Sequence, residues 1–132
     1  MNINLKIIPQ DEHRFTTIGD WWVDEKGVLQ MRISKMADWR YEVAVLFHEL
    51  IEFFVCKHLG IETKECDEFD LFYETQYEKG LIDRSKEAGF DKRCPYQKGH
   101  RWGARFERLI IWILGASWKK YLADCNRLMN IN

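Results

Sequence analysis

ADWRYEVAVLFHELIEFFVCKHLG, residues Ala37 to Gly60, is the longest stretch of this chain that can only be a helix. From Val43 to Cys56 eleven of fourteen residues are apolar, which predicts a helix greasy nearly all round and lying in the middle of the fold. The exceptions are His48, Glu49 and Glu52. With about 100° per residue and His48 set at zero, Glu52 falls near ~40°, Glu49 near ~100° and Glu42 near ~120°. They share one stripe. Unpartnered ionisable groups are costly to bury, so this stripe needs cations, strong donors or a metal opposite it.

His48 and Glu52, at i and i+4, project side by side and can grip one ion, while Glu49 stands beside them without having to ligate. In this arrangement Glu49 is placed to act as general base on water activated by the ion. His-Glu-Leu-Ile-Glu after Val-Ala-Val-Leu-Phe resembles the active-site helix of zincin-type metallohydrolases, with Glu52 where that family has a second His. The resemblance implies a divalent metal, zinc favoured, and hydrolysis of peptide bonds. The alternative to metal binding is that His48 and the two glutamates pair with Arg or Lys from elsewhere and hold the core together.

The chain has 132 residues, 46% of them apolar, so one globular domain is expected. A formal net charge of -1 gives no global attraction to nucleic acid or to anionic lipid, and neither nucleic acid nor a membrane is the expected partner. The N-terminal MNINLKII lacks a secretory-leader layout, and charges interrupt the apolar helix at His48, so a cytoplasmic location is expected. Cys56, Cys66, Cys94 and Cys125 form no Cys-x-x-Cys pair and read as reduced, buried or half-buried thiols.

Asn2 to Ile8 predicts a short edge strand stopped by Pro9. Arg14 to Ile18 and Asp20 to Asp24 read as extended, and Asp24-Glu25-Lys26-Gly27 as a turn returning into Val28 to Ser34. Leu29, Met31 and Ile33 should pack on the helix, and one of Trp21 and Trp22 should enter the core. These segments predict a small antiparallel sheet ahead of the helix, an order also seen in zincins, where a strand edge can bind peptide.

Gly60 ends the central helix, and Thr63 is the expected cap of a second one, Lys64 to about Glu78, with Phe69, Phe72 and Tyr73 on one side. Asp67, Asp70 and Glu74 form an acidic stripe on another side. If that stripe turned toward Glu49 and Glu52, the cluster would resemble all-α nucleoside triphosphate pyrophosphohydrolases, which implies Mg²⁺ or Mn²⁺ and phosphate chemistry. Residues 80–97 are polar and broken by Gly80, Gly89 and Pro95, and read as a lid-like connection. Lys98 to Leu114 reads as a helix with Trp102, Phe106, Leu109, Ile110, Ile113 and Leu114 inward. On it His100 and Glu107 share a face, and Arg101, Arg105 and Arg108 form the one local basic patch, expected to pair with neighbouring acids. Ser117 should cap a last helix running to about Leu128.

GDWW at 19–22, ADWRYEVAVLFHELIE at 37–52, CDEFDLFYE at 66–74, CPYQKGH at 94–100 and ERLIIWILGASW at 107–118 resemble a group of uncharacterised small phage and bacterial proteins. That resemblance implies one coherent domain, encoded by a phage or its bacterial host, and a host or phage protein as partner. The reading is therefore an α+β, zincin-like domain, a small N-terminal antiparallel sheet packed on about four helices. Its candidate site has His48, Glu52 and His100 as metal ligands, Glu49 as catalytic base, and Asp67, Asp70 and Glu107 as supporting or alternative ligands. His58 and His13 are weaker candidates. A non-catalytic phage accessory or inhibitor protein is the reading from a different class.

Overall fold

The computed structural model describes residues 1–131, which form a three-stranded sheet followed by four helices. The strands are β1 (Ile3–Ile8), β2 (Gly19–Val23) and β3 (Leu29–Ser34), and the helices α1 (Trp39–Leu59), α2 (Thr63–Glu78), α3 (Gln97–Ile113) and α4 (Trp118–Leu128). The α+β class and the order of elements are as expected. The sheet is mixed, however, and not antiparallel throughout. β2 and β3 form the expected hairpin, turning through Gly27 at φ 77°, but β1 pairs parallel to β3 on its other side, giving the order β1-β3-β2. Strand alternation carries no record of direction. Here Pro9 to Ile18 carries the chain around the end of the sheet to its far edge, so Arg14 to Ile18 is connection and not strand.

Leu29, Met31 and Ile33 are almost wholly buried and face α1, and Trp21 on β2 packs edge-on against Phe53. Trp22, on the opposite face, lies under the guanidinium of Arg14 at 4.0 Å and near that of Arg32. α1 packs along β2 and β3, leaving Ile3, Leu5 and Ile7 of the edge strand half exposed.

Asp38 caps α1 through the Arg40 amide, and Gly60 closes it at φ 72°. α2 is capped by Glu62, in a reciprocal box with Glu65, whereas Thr63 accepts a hydrogen bond from the Val23 amide and ties α2 to the sheet. Ser117 caps α4 as expected.

α1 buries its polar stripe as expected, whereas the face that α3 turns inward runs against expectation. α1 buries its polar stripe, Glu42, His48, Glu49 and Glu52, together with Tyr41, Ala44, Val45, Phe53 and Cys56, and turns Phe47 and Phe54 outward. α3 buries only Gly99, Gly103 and Ile111, so the stripe of Trp102, Phe106, Leu109 and Ile113 lies outside. Periodicity locates a stripe but not the neighbour it meets. The side of α3 that packs on α1 is its small-residue side, because that side permits the closest approach.

Candidate metal centre

The site is built where α3 crosses α1 in the opposite direction, Gly103 against the turn of His48 and Gly99 against the turn of Glu52. A Cβ at either glycine would stand 2.8 Å from the carbonyl oxygen of the α1 residue beneath it, so the two backbones meet with no side chain between them. His100 is thereby brought over the polar stripe. His48 Nε2 lies 3.2 Å from Glu52 Oε2 and 3.0 Å from His100 Nδ1, and His100 Nδ1 lies 3.0 Å from the same Glu52 Oε2. All three residues can offer one ligand atom to a common ion. A tetrahedral zinc with ligands at ~2.0–2.1 Å has ligand atoms about 3.3 Å apart, so this triangle is close to one face of such a site.

The far atom of each candidate ligand faces a group that can orient it. The Trp21 indole N–H donates to Glu52 Oε1 at 2.9 Å, leaving Oε2 for the cluster. His100 Nε2 is 2.8 Å from Glu87 Oε2. His48 Nδ1 points at Glu107 Oε1 from 3.5 Å, too far for a full hydrogen bond, and is left as a buried nitrogen without a partner. Glu107 is itself held by the Tyr121 hydroxyl at 2.7 Å. Carboxylates behind histidines and a fixed carboxylate oxygen are the outer-shell features that set ring orientation in metal sites.

Glu49 stands one residue from His48 with its carboxylate against the start of β2, where a Cβ on Gly19 would come within 2.6 Å of Oε1. It makes no hydrogen bond among the described residues. A cavity of about 250 Å³ opens over Glu49, His48, Glu52 and His100, bounded on the sheet side by Thr17 and Gly19.

The electrostatics are those of an anionic pocket that draws in positive charge. Burial opposes ionisation of His48, yet the carboxylates of Glu107 and Glu52 raise its pKa well above the usual 6.5. His100, against the same burial cost, is raised to about 9 by Glu52 and Glu87. Glu52 is lowered to about 2, since the two imidazoles outweigh its burial. Glu49 has no such donor. Burial first, and then the neighbouring Glu52 carboxylate, push it well above the ordinary value.

Of the residues singled out from sequence, the structure brings His48, Glu52 and His100 together, with Glu49 beside them and Glu107 behind His48. Asp67 is elsewhere, in a two-pronged pair with Arg14, which also clamps Asp20. Asp70 accepts the Tyr96 hydroxyl. His13 is bonded to Ser34, and His58 is exposed. Of the acidic stripe of α2, Asp70 and Glu74 line the same cavity as Glu49 and Glu52, but Asp70 is held by Tyr96 and Glu74 by Thr16, while Asp67 is taken by Arg14.

Sequence reasoning missed Glu87, the indole of Trp21, and Tyr121. It also passed over Gly99 and Gly103, whose Gly-x-x-x-Gly spacing in a helix was a legible sign of close backbone packing. Residues 80–97 are more structured than a bare lid. Gly89 lies against the His100 ring, where a Cβ would clash at 2.1 Å, and Phe90 meets the same ring edge-on.

Fold and site together define an α+β domain with a buried His-Glu-His cluster able to hold a metal ion. Comparison with protein-family models, with curated proteins and with solved structures gives no match.

Proposed function

We propose that this protein is a metal-dependent hydrolase of zincin-like type, zinc being the favoured ion and a peptide bond the favoured substrate. The observation that carries the reading is the convergence of His48 Nε2, Glu52 Oε2 and His100 Nδ1 within 3.2 Å of one another, the far atoms of Glu52 and His100 being held by Trp21 and Glu87. Without a cation, these groups must share protons to avoid a buried, unbalanced charge. Two imidazoles and one carboxylate suit zinc better than Mg²⁺, which prefers oxygen ligands.

A divalent ion held there supplies Lewis acidity toward water and toward a carbonyl oxygen. The rest is done by the chain. Glu49, buried beside the cluster and free of hydrogen bonds among the described residues, accepts the proton of the attacking water and returns it to the leaving amine.

The pairing of Asp67 with Arg14 and of Asp70 with Tyr96 supports this reading over Mg²⁺-dependent pyrophosphate hydrolysis. Elemental analysis of the purified protein tests it. Zinc at one per chain, lost in His48→Ala, is the expected result. A protein that takes up no divalent ion under any loading condition would be the non-catalytic accessory protein instead.

A further inference from the structure

We propose that the outward face of α1 and α3 docks on an anionic phospholipid surface. α3 carries Lys98, Arg101, Arg105 and Arg108, all exposed, and a single acid, Glu107, which turns inward toward His48. Its outward side is therefore free of negative charge although the whole chain carries -1. None of the four basic residues joins an ion pair among the described residues. Arg105 instead lies over the Trp102 ring at 4.5 Å and Arg108 over Trp118 at 4.9 Å. The sequence-based expectation of no membrane contact rested on net charge and on the lack of a spanning helix. Neither quantity registers charge gathered on one side of the folded domain.

The apolar half of the face is equally segregated. Trp102, Phe106, Leu109 and Ile113 stand along α3 at 37–58% exposure, and Trp39, Phe47 and Phe54 are exposed aromatics of α1. Trp112 near the end of α3 is 77% and Trp39 at the start of α1 62% exposed, and Arg40 ties these two helix ends together through the carbonyls of Leu114 and Gly115. A helix with aromatic and aliphatic residues on one side and Lys and Arg beside them is the pattern that lies in the bilayer interface, with indoles at headgroup depth.

Two features favour lipid over protein. A second copy would set one cationic strip against another with no acids to answer them. A partner helix or peptide needs a groove, whereas the cavity over the His48 cluster and the one between Trp21 and Thr63 are both lined by other residues than these exposed α1 and α3 side chains.

The test is flotation of the full chain with vesicles of phosphatidylcholine alone and of phosphatidylcholine mixed with phosphatidylglycerol. Binding is expected to the mixed vesicles only, and to weaken steeply as salt is raised from about 0.1 to 1 M and screening tightens. Arg101→Glu with Arg105→Glu should lower partitioning by about 10²-fold or more. Trp112→Ala should reduce it while leaving thermal melting and metal content unchanged, since this side chain touches neither core nor cluster. Equal binding to both vesicle types, or none to the mixed ones at low salt, overturns the proposal. So does a dimer in sedimentation that Trp112→Ala dissociates, since the face would then be covered by a second copy.

Discussion

Gly103 of α3 lies directly on the carbonyl of His48 in α1, so close that a single methyl group would stand 2.8 Å from that oxygen. The contact sets the distance between the two helices and hence the position of His100. In an exposed helix Gly→Ala gains about 1 kcal/mol from propensity. Here the overlap is with backbone, which cannot swing away, and overpacking of this kind costs about 1–3 kcal/mol. Gly103→Ala is therefore expected to lower stability in denaturant titration and to weaken metal binding. A stabilised variant with unchanged metal affinity would show that the close approach is not required.

Glu49 and the ligands should separate cleanly by variant. Glu49→Gln is nearly isosteric and leaves His48, Glu52 and His100 in place, so metal content is expected to be that of the parent while turnover falls by about 10²-fold or more. His48→Ala should lose the ion. Metal content, read beside a peptide-hydrolysis assay, checks both. Loss of metal in Glu49→Gln would make Glu49 a ligand.

Trp21 holds Glu52 Oε1 by its indole N–H. Trp21→Phe keeps most of the packing on Phe53 but removes that donor, freeing the carboxylate to rotate. Zinc affinity, measured against a competing chelator, is expected to fall about 10- to 100-fold. Tyr121→Phe, which releases Glu107 from behind His48, should act in the same direction.

Asp70 gives a pH signature distinct from the metal cluster. Burial first raises its carboxyl, the Tyr96 hydrogen bond opposes this, and nearby Glu52 and Asp20 add to the rise, which reaches about 7 from 3.8. The folded state thus keeps a proton that the unfolded chain releases, so Asp70 destabilises the fold progressively as pH rises from about 4 to about 7. Asp70→Asn can still accept from Tyr96 and has nothing to ionise. Its melting temperature relative to the parent should climb across that window and level off above it. A difference independent of pH would mean that Asp70 titrates normally.

The sequence by itself determined the helices, the hairpin and which ionisable residues they carry. The apolar run around His48 specified a long helix, the spacing of His48, Glu49 and Glu52 specified a shared stripe, and Gly27, Gly60 and Ser117 marked turn and caps where the structure has them. These are local matters, decided by side-chain period and by backbone conformations that few residues adopt. Even His100 could be singled out, as a histidine on another helix next to the long connection.

What only the tertiary structure decided was which faces meet. β1 runs parallel to β3 because of the path the chain takes after Pro9, which pairing propensity does not encode. Trp102, Phe106, Leu109 and Ile113 look like a core stripe, yet they lie outside, because helix packing is governed by how closely two backbones can approach, and the glycine side of α3 fits α1 better. That choice moved an apolar stripe to the surface and left Glu87, Trp21 and Glu107 to face the candidate ligands from three separate parts of the chain. Each of these relations depends on residues far apart in sequence meeting at a distance of a few ångströms, and no local pattern fixes such a distance.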